Sequence, residues 1–595
     1  TVVHAAPLAI IAASVLSEDE EFYLSRSLPT IEYTLSRSGY RWATDLVPSG
    51  YNKTLETLRL NPFNSQFNTS YYEGLHRLLG GLNPWLVSIA LPGDTLRKTK
   101  GYSTQVLSWV QAISAYNLTG DEKWKRFATS TADRYIDLQI YKNSSQPVGL
   151  MSFYNTNVYA PWWDLIDLYE LTKEEKYLKA AQYGASNTIA GIRSFPTVTE
   201  DLQTIHPGNR FDGNTNLWWK GKEKYRLGFP RVANDAQEKQ VPEWLVSPVG
   251  LGFEQPSTYF LRTKGKQVRP VFMSNWAPHL LRLYQYTRKP IYETYARNGV
   301  IGRFTNYPGY YATGYTDITL SPDFPYKGPD VSSIYYHHIP PHLAFTWDYL
   351  VSEAIERSNG NINFPFCKQE GFVWFTNRIY GNEKGKIFGD SKAKLWIKKG
   401  LIQIDNPTVN YLTAVSDKYF WVILSGESKQ EESLTIRLDK VAELVGQGDI
   451  VQYTEKGKTA KVNRVGNAIK VSVPGKGFRA LAFPLAETRK ENRYPVLKNG
   501  IKVVDMGEPF GKVFLFRIRS PFGWDSVYGF AETAPAKEKE MSVSVVCNGQ
   551  SCTVSSYPFE WSFYKLGMDE KAIVKVTVSS KGQVDKTEEI ILNSK

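Results

Sequence analysis

Residues 332–342 read SSIYYHHIPPH, which gathers three of the chain's seven histidines and two of its 37 tyrosines into eleven positions. Imidazole titrates near neutral pH and can take a proton as a base, while a phenol holds its proton and can give it as an acid. Tyr335, Tyr336, His337 and His338 therefore point to proton transfer. Read as an extended lead-in to a helix that starts at Pro341, the segment sets Tyr336 with His338 on one side and Tyr335 with His337 on the other. Tyr336 and His337 are the individual candidates for acid and base, and His338 is the candidate for substrate contact. His206 sits in TIHPGNRFDGN, inside a long stretch (193–270) that interrupts the helical pattern, and His279 follows Pro278. Both are further catalytic candidates. Arg210 in the same stretch suits a carboxylate or sulfate, because a guanidinium binds such groups through two parallel hydrogen bonds.

His338 and His342 have the spacing of a helical zinc pair, but Pro340 and Pro341 lie between them and no Glu follows His338. The expectation is no cofactor, with a metal at this histidine-rich rim as the disfavoured reading.

Helical periodicity runs through the first 358 residues. Residues 101–141, 160–192 and 277–304 each read as two amphipathic helices around a short turn. They share a fingerprint, Tyr-x-x-Thr with an aromatic five residues beyond the Thr: Tyr116, Thr119 and Trp124; Tyr169, Thr172 and Tyr177; Tyr284, Thr287 and Tyr292. The first two tyrosines are 53 residues apart and the next gap is about twice that, which is the mark of a helical-hairpin repeat. Proline opens several helices, with polar or imidazole residues just upstream: His4 before Pro7, Asn157 before Pro161, Asn275 before Pro278 and His338 before Pro341. If those helices begin at one rim of a ring, these residues surround its mouth. Trp162, Trp163, Trp218, Trp219 and Trp276 could serve as sugar platforms, although tryptophans at helical spacing also suit a core.

After residue 365 the pattern alternates as strands do, and from about 487 a second all-β stretch begins. The expected architecture is multidomain α+β: an α/α toroid over 1–358, an antiparallel β domain over 359–486 and a small β-sandwich over 487–595. All seven histidines precede residue 350, so proton chemistry belongs to the helical part.

The charge balance of +12 favours a polyanionic partner. The basic residues are scattered and accompany no nucleic-acid motif, so an acidic polysaccharide is expected rather than nucleic acid. No apolar run is long enough for a membrane span. The apolar N-terminus lacks a basic leader and a cleavage site, and reads as the first helix of a trimmed chain. Cys547 and Cys552 flank an Asn-Gly turn, where the spacing allows either a small disulfide or two free thiols. Cysteine use alone is only suggestive of an exported protein.

A helical ring followed by β-sandwich domains resembles the toroid-plus-sandwich polysaccharide lyases, which act on chondroitin, hyaluronan, heparin, alginate or ulvan. Asn275-Trp276 looks like the Asn-Trp pair of the chondroitin and hyaluronan lyases, without the acidic Gly-Pro segment that usually follows, so the subfamily stays unassigned. The resemblance implies β-elimination on a uronic-acid polysaccharide outside the cytoplasm, in a secreted or periplasmic setting. A His or Tyr would take the C5 proton, a Tyr would protonate the leaving oxygen, and a polar or cationic residue would neutralise the uronate. The alternative is an inverting glycoside hydrolase using two of Asp164, Asp212, Glu254, Asp317 and Asp348. A second alternative is a glycan-binding protein without proton chemistry. Asn157, Trp162, Arg210, Asn275, Trp276 and His338 are the expected substrate contacts.

Overall fold

The computed structural model describes residues 5–28, 30–31, 69–81, 87, 109–142, 160–190, 201–205, 207–209, 238–242, 276–310, 333–370, 376–406, 408–489, 501–519, 525–532, 540–555, 559–567 and 569–593. Internal contacts divide the chain into two units, one made of Thr1–Trp124, Gly381–Glu383 and Glu491–Lys595, the other of Lys125–Tyr380 and Lys384–Lys490.

In the first unit, the apolar start forms helix α1 (Ala5–Ser17), with Leu8, Ile11, Ala12 and Val15 buried. Helices α2 (Thr69–Leu78) and α3 (Trp109–Thr119) join through polar contacts, Ser114 Oγ to Ser70 Oγ at 3.1 Å and Asn117 Nδ2 to Glu73 Oε1 at 2.8 Å. The C-terminal stretch is a sandwich of two four-stranded antiparallel sheets. One runs Ile501–Gly507, Gly511–Arg519, Asp525–Glu532, Phe559–Leu566, and the other Gln550–Val554, Met541–Cys547, Ala572–Ser580, Lys586–Leu592. Alternate residues such as Val513, Leu515, Val543, Val545, Val574 and Val576 form one core between them. Asn548 and Gly549 both take positive φ (42° and 84°), the requirement of a two-residue hairpin turn. Cys552 lies opposite Val545 rather than Cys547, and both thiols are free.

The second unit holds most of helix α4 (Glu122–Tyr135), from Lys125 on, and the helices α5 (Asp164–Thr172), α6 (Glu175–Ala190), α7 (Ala277–Thr287), α8 (Pro290–Tyr310) and α9 (Ser333–Arg357). The repeated fingerprint is a turn with a physical basis. Thr119, Thr172 and Thr287 each donate their hydroxyl to the carbonyl four residues back, at 2.7, 2.8 and 2.7 Å. Each then accepts the N–H two residues on, at 3.2, 3.2 and 3.3 Å. Between them a residue with positive φ ends the helix: Gly120 (68°), Lys173 (62°) and Arg288 (54°). The following aromatic donates its backbone N–H into the same turn.

Apart from a short antiparallel pair, Leu202–Ile205 with Lys239–Pro242, the described strands begin at Ile362, five residues after α9 ends. An eight-stranded antiparallel sheet is ordered Gly457–Val462, Ile450–Thr454, Phe478–Pro484, Tyr419–Gly426, Val409–Val415, Asp390–Leu395, Gly385–Ile387, Ile362–Asn363. A four-stranded sheet, Arg464–Val465, Ala468–Val473, Glu432–Leu438, Ile402–Ile404, faces it across Phe420, Val422, Leu481, Ile436 and Val471. The molecule is thus mixed α+β with several antiparallel sheets. The α/α toroid is not shown: the described residues give successive hairpins and no closed ring. The repeat fixes each turn locally, whereas closure depends on packing between hairpins.

One correction concerns residues 333–342. They are helical as part of α9, not an extended lead-in, and the helix runs through Pro340 and Pro341. Proline's fixed φ is compatible with a helix, and its cost is a lost N–H bond and a local clash. The later turns of α9 are tied down by Asp348, Ser352, Glu353 and Arg357, described below, and this anchorage offsets that cost. Among the described residues no helix is long and apolar enough to cross a membrane.

Candidate functional site

Helix α5 carries Asp164, Asp167 and Glu170 at intervals of three, and helix α7 carries His279, Arg282 and Tyr286 at intervals of three and four. Such spacings put each set along one helix face. The two faces meet through Arg282, which is only 1 % exposed. Its Nη2 donates to Asp167 Oδ1 at 2.6 Å and to Glu170 Oε2 at 2.8 Å, while Nε reaches Glu170 Oε1 at 3.3 Å. Tyr286 gives its hydroxyl proton to the same Glu170 oxygen at 2.8 Å.

A hairpin of Cys367–Glu370 and Thr376–Ile379 supplies two more cations. Lys368 pairs with Asp164 and lies 3.7 Å from Asp167 Oδ2. Arg378 binds the wholly buried Asp348 of α9 through its backbone N–H (2.9 Å) and its Nε (3.0 Å), and donates to Ser352 Oγ at 2.6 Å. Phe366 lies 5.0 Å from the Arg378 guanidinium and 6.0 Å from that of Arg282, so its ring is within cation–π reach of both.

The environment separates the two carboxyls on α5. Burial pushes Asp167 above the usual carboxylate range, and Arg282 only partly offsets this. Burial pushes Glu170 the same way, but Arg282, Arg378 and the Tyr286 hydroxyl pull it below that range. Arg282 is desolvated, yet Glu170 and Asp167 hold it firmly as a cation. Two carboxyls one helical turn apart therefore differ in proton affinity.

At the N-terminal ends of these helices the aromatic residues meet. Trp163 stacks on the imidazole of His279 with centroids 6.0 Å apart and planes 21° apart, and Trp162 meets it edge-on at 6.3 Å. Trp162 is wholly covered and donates its indole N–H to Thr188 Oγ1 at 2.9 Å. Gly184 on α6 makes this possible, since a Cβ there would fall 2.5 Å from that of Trp162. Trp276, one residue before α7, is 2 % exposed, and Trp163 is half-buried. Of the three tryptophans, Trp163 is the one with surface to offer.

The starts of α5 and α7 join Trp162, Trp163 and His279; of the residues expected around a rim, His4 also lies outside the described residues. The burial of Trp162 and Trp276 gives them a packing place rather than an open stacking face. Tyr336, His337 and His338 lie on the first turns of α9. Asn157, His206, Arg210, Asn275, Asp212, Glu254 and Asp317 lie outside the described residues. Asn209 has its amide oxygen engaged by the Glu238 backbone N–H at 3.0 Å. Among the described residues no group of three or more His, Cys, Asp or Glu is placed to hold a metal ion.

Sequence reasoning missed Asp167, Glu170, Arg282, Lys368 and Arg378. A signal was present: charges at three-residue spacing on helices whose neighbouring positions, Leu165, Ile166, Leu280 and Leu283, are buried.

No family model and no curated protein matches the chain. Among solved structures, similarity is found to an FMN-binding beta-glucuronidase from Facaelibacterium prausnitzii L2-6, at 9 % identity over 32 % of this chain and 40 % of that one, with a TM-score of 0.11. This chain therefore spans less than half of that protein's length. A structure described as a glycoside hydrolase is 11 % identical over 99 % of this chain and 92 % of its own, with a TM-score of 0.25. The GH127 beta-arabinofuranosidase BT3674 is 9 % identical over 99 % and 88 %, with a TM-score of 0.20. At these TM-scores no residue role passes from them to this chain.

Proposed function

We propose that the protein is a glycan-processing enzyme that cleaves an acidic, uronic-acid-containing polysaccharide of the ulvan or glycosaminoglycan type by β-elimination. The observation that carries this reading is the junction of α5 and α7, where a half-buried indole, Trp163, stacks on His279. A pyranose presents an apolar face suited to an indole, and the imidazole against that indole, although only 3 % exposed, is the titratable base placed beside it. The net charge of +12 favours the approach of a polyanion.

In the reaction a base removes the C5 proton, the electron pair forms the C4–C5 double bond, and the C4–O bond breaks. The leaving oxygen takes a proton from an acid. His279 is the described candidate for the base, with His206 and His337 as further candidates, and Tyr336 is assigned the acid. Arg210, Asn157, Asn275 and His338 are assigned to the uronate and the neighbouring sugars. Trp162, edge-on to the imidazole, holds His279 in place. A polysaccharide substrate fits a secreted or periplasmic enzyme.

A second reading, glycoside hydrolysis, is favoured by one observation, the pair Asp167 and Glu170 held on one Arg282 nitrogen with opposite shifts in proton affinity. Digestion of ulvan and chondroitin sulfate separates the two. Elimination leaves a conjugated uronate absorbing at ~232 nm, whereas hydrolysis yields reducing ends without it. Absorbance that rises with product sustains the proposal, and reducing ends alone transfer the chemistry to the carboxyls.

A further inference from the structure

The eight-stranded sheet carries a second aromatic cluster, away from the α5–α7 junction. Tyr419 and Trp421 lie two residues apart on one strand and so face the same side. Tyr453 lies on a strand that is not their neighbour, because Phe478–Pro484 runs between. Strands two places apart are separated by about 9.6 Å. The rings of Trp421 and Tyr453 nevertheless come within 5.4 Å. Small residues on the middle strand allow it: Ala482 is opposite Trp421 and Ala480 is opposite Ile423 and Tyr453, leaving a trough floored by alanine. Phe388 completes the row, stacked on Tyr453 at 4.6 Å and 25°.

Phe388 is the unexpected member. It occupies the turn between Gly385–Ile387 and Asp390–Leu395 with φ of +52°, a region that a bulky residue enters only at an energetic cost. Glycine, the residue suited to that conformation, stands one place later at 389, where a Cβ would meet nothing within 4 Å. The turn thus forgoes its favourable residue and presents a phenyl ring beside open space. Tyr419, Tyr453 and Phe388 are half-buried, while Trp421 is buried beneath them and donates its indole N–H to Asp390 Oδ2 at 3.0 Å. Asp390 Oδ1 accepts the Lys392 N–H at 3.1 Å, and the carboxylate is itself half-buried. Burial, with Tyr419 and Asp390 nearby, keeps the Tyr453 phenol protonated as a hydrogen-bond donor.

We infer that Phe388, Tyr453 and Tyr419 form an ancillary glycan-binding subsite, in which a pyranose ring stacks on Phe388 or Tyr453 and a sugar hydroxyl donates to Asp390. The inference deepens the glycan-processing reading and rests on it for the ligand class. Stacked rings bind through apolar contact, so this subsite keeps its affinity in salt, unlike capture by the protein's net charge.

The test is calorimetric titration of the whole chain with ulvan and chondroitin sulfate oligosaccharides in about 0.5 M NaCl, where screening leaves mainly the stacking contribution. Phe388→Gly relieves the positive φ and removes the ring, so it should keep or raise the melting temperature while weakening binding at least about tenfold. Tyr453→Ala should weaken binding similarly. Unchanged affinity in both variants, or no binding of either probe by the wild type in salt, overturns the subsite. A lower melting temperature for Phe388→Gly with full affinity also overturns it, because the ring would then only pack. Absorbance at ~232 nm, followed separately, keeps the two proposals apart. Elimination without variant-sensitive binding sinks the subsite alone, and variant-sensitive binding without elimination sinks the lyase reading alone.

Discussion

Two clusters of buried charge in the second unit solve the same problem differently. Between α5, α7 and the 367–379 hairpin, Asp164, Asp167 and Glu170 face Arg282 and Lys368, so each carboxyl has a cation in reach. At the C-terminal end of α9, Glu353 and Glu427 are brought together instead. A single amide, Asn410 Nδ2, donates to Glu353 Oε2 at 3.1 Å and to Glu427 Oε1 at 3.0 Å. Arg357 binds Glu353 Oε1 at 3.0 Å and the carbonyl of Gly426 at 2.8 Å, while Arg297 and Lys476 each stand 3.6 Å from Glu427. Burial and the neighbouring Glu427 push Glu353 well above the usual carboxylate range, while the hydrogen bond from Glu353, then Arg357 and Lys476, hold Glu427 below it despite its burial. Burial holds one carboxyl of each cluster above its usual range, but Asp167 keeps Arg282 and Lys368 beside it whereas Glu353 is pushed well above that range, so the second cluster should respond more strongly to pH.

The comparison is broken most severely at its first half. Arg282→Met should remove about 3–5 kcal/mol of stability, because Asp167 and Glu170 would remain buried without their cation. Urea unfolding followed by circular dichroism reads the loss, and a change below 1 kcal/mol would mean that the carboxyls escape to water. Asn410→Ala should cost less, about 1–3 kcal/mol, by leaving two buried carboxyl oxygens short of a donor.

Glu353→Gln gives the smallest and most diagnostic effect. Glu353 keeps its proton in the folded state above the pH at which a free glutamate loses it. Its contribution to stability is therefore favourable in the acidic range and is lost as pH rises through its elevated folded pKa. Glu427, shifted downward, works in the opposite sense and costs stability only as pH falls below the ordinary glutamate range. Melting temperatures measured from pH 5 to pH 8 should fall less steeply for Glu353→Gln than for the wild type. Parallel slopes would place the titration elsewhere.

Local chemistry was legible in the sequence where one turn of chain decides the outcome. The Tyr-x-x-Thr fingerprint marked the hairpins because its threonine bonds entirely within its own turn, and Asn548-Gly549 marked a two-residue hairpin for the same reason. The passage from helix to strand after residue 358 was also readable, as a change of period. Closure of the hairpins into a ring was not, since it depends on surfaces far apart in the chain. Asp167, Glu170 and Arg282 escaped notice because acidic and basic residues on helices are usually solvated. Their burial is set by the partner helix rather than by α5 or α7 alone. Residues 333–342 were misread because Pro340 and Pro341 argue locally against helix, while the anchorage that sustains α9 lies up to sixteen residues further on, at Asp348 through Arg357.

The central claim, elimination at the junction of α5 and α7, is tested most directly by His279→Gln, which removes the base and keeps a side chain able to hydrogen-bond beside Trp163. The ~232 nm signal from ulvan or chondroitin sulfate is followed under single-substrate saturation, with the melting temperature measured on the same preparation. The account predicts a fall in kcat of about 10²–10⁴ with the fold retained and KM little changed. Wild-type turnover in the folded variant would contradict it and move the proton transfer away from His279.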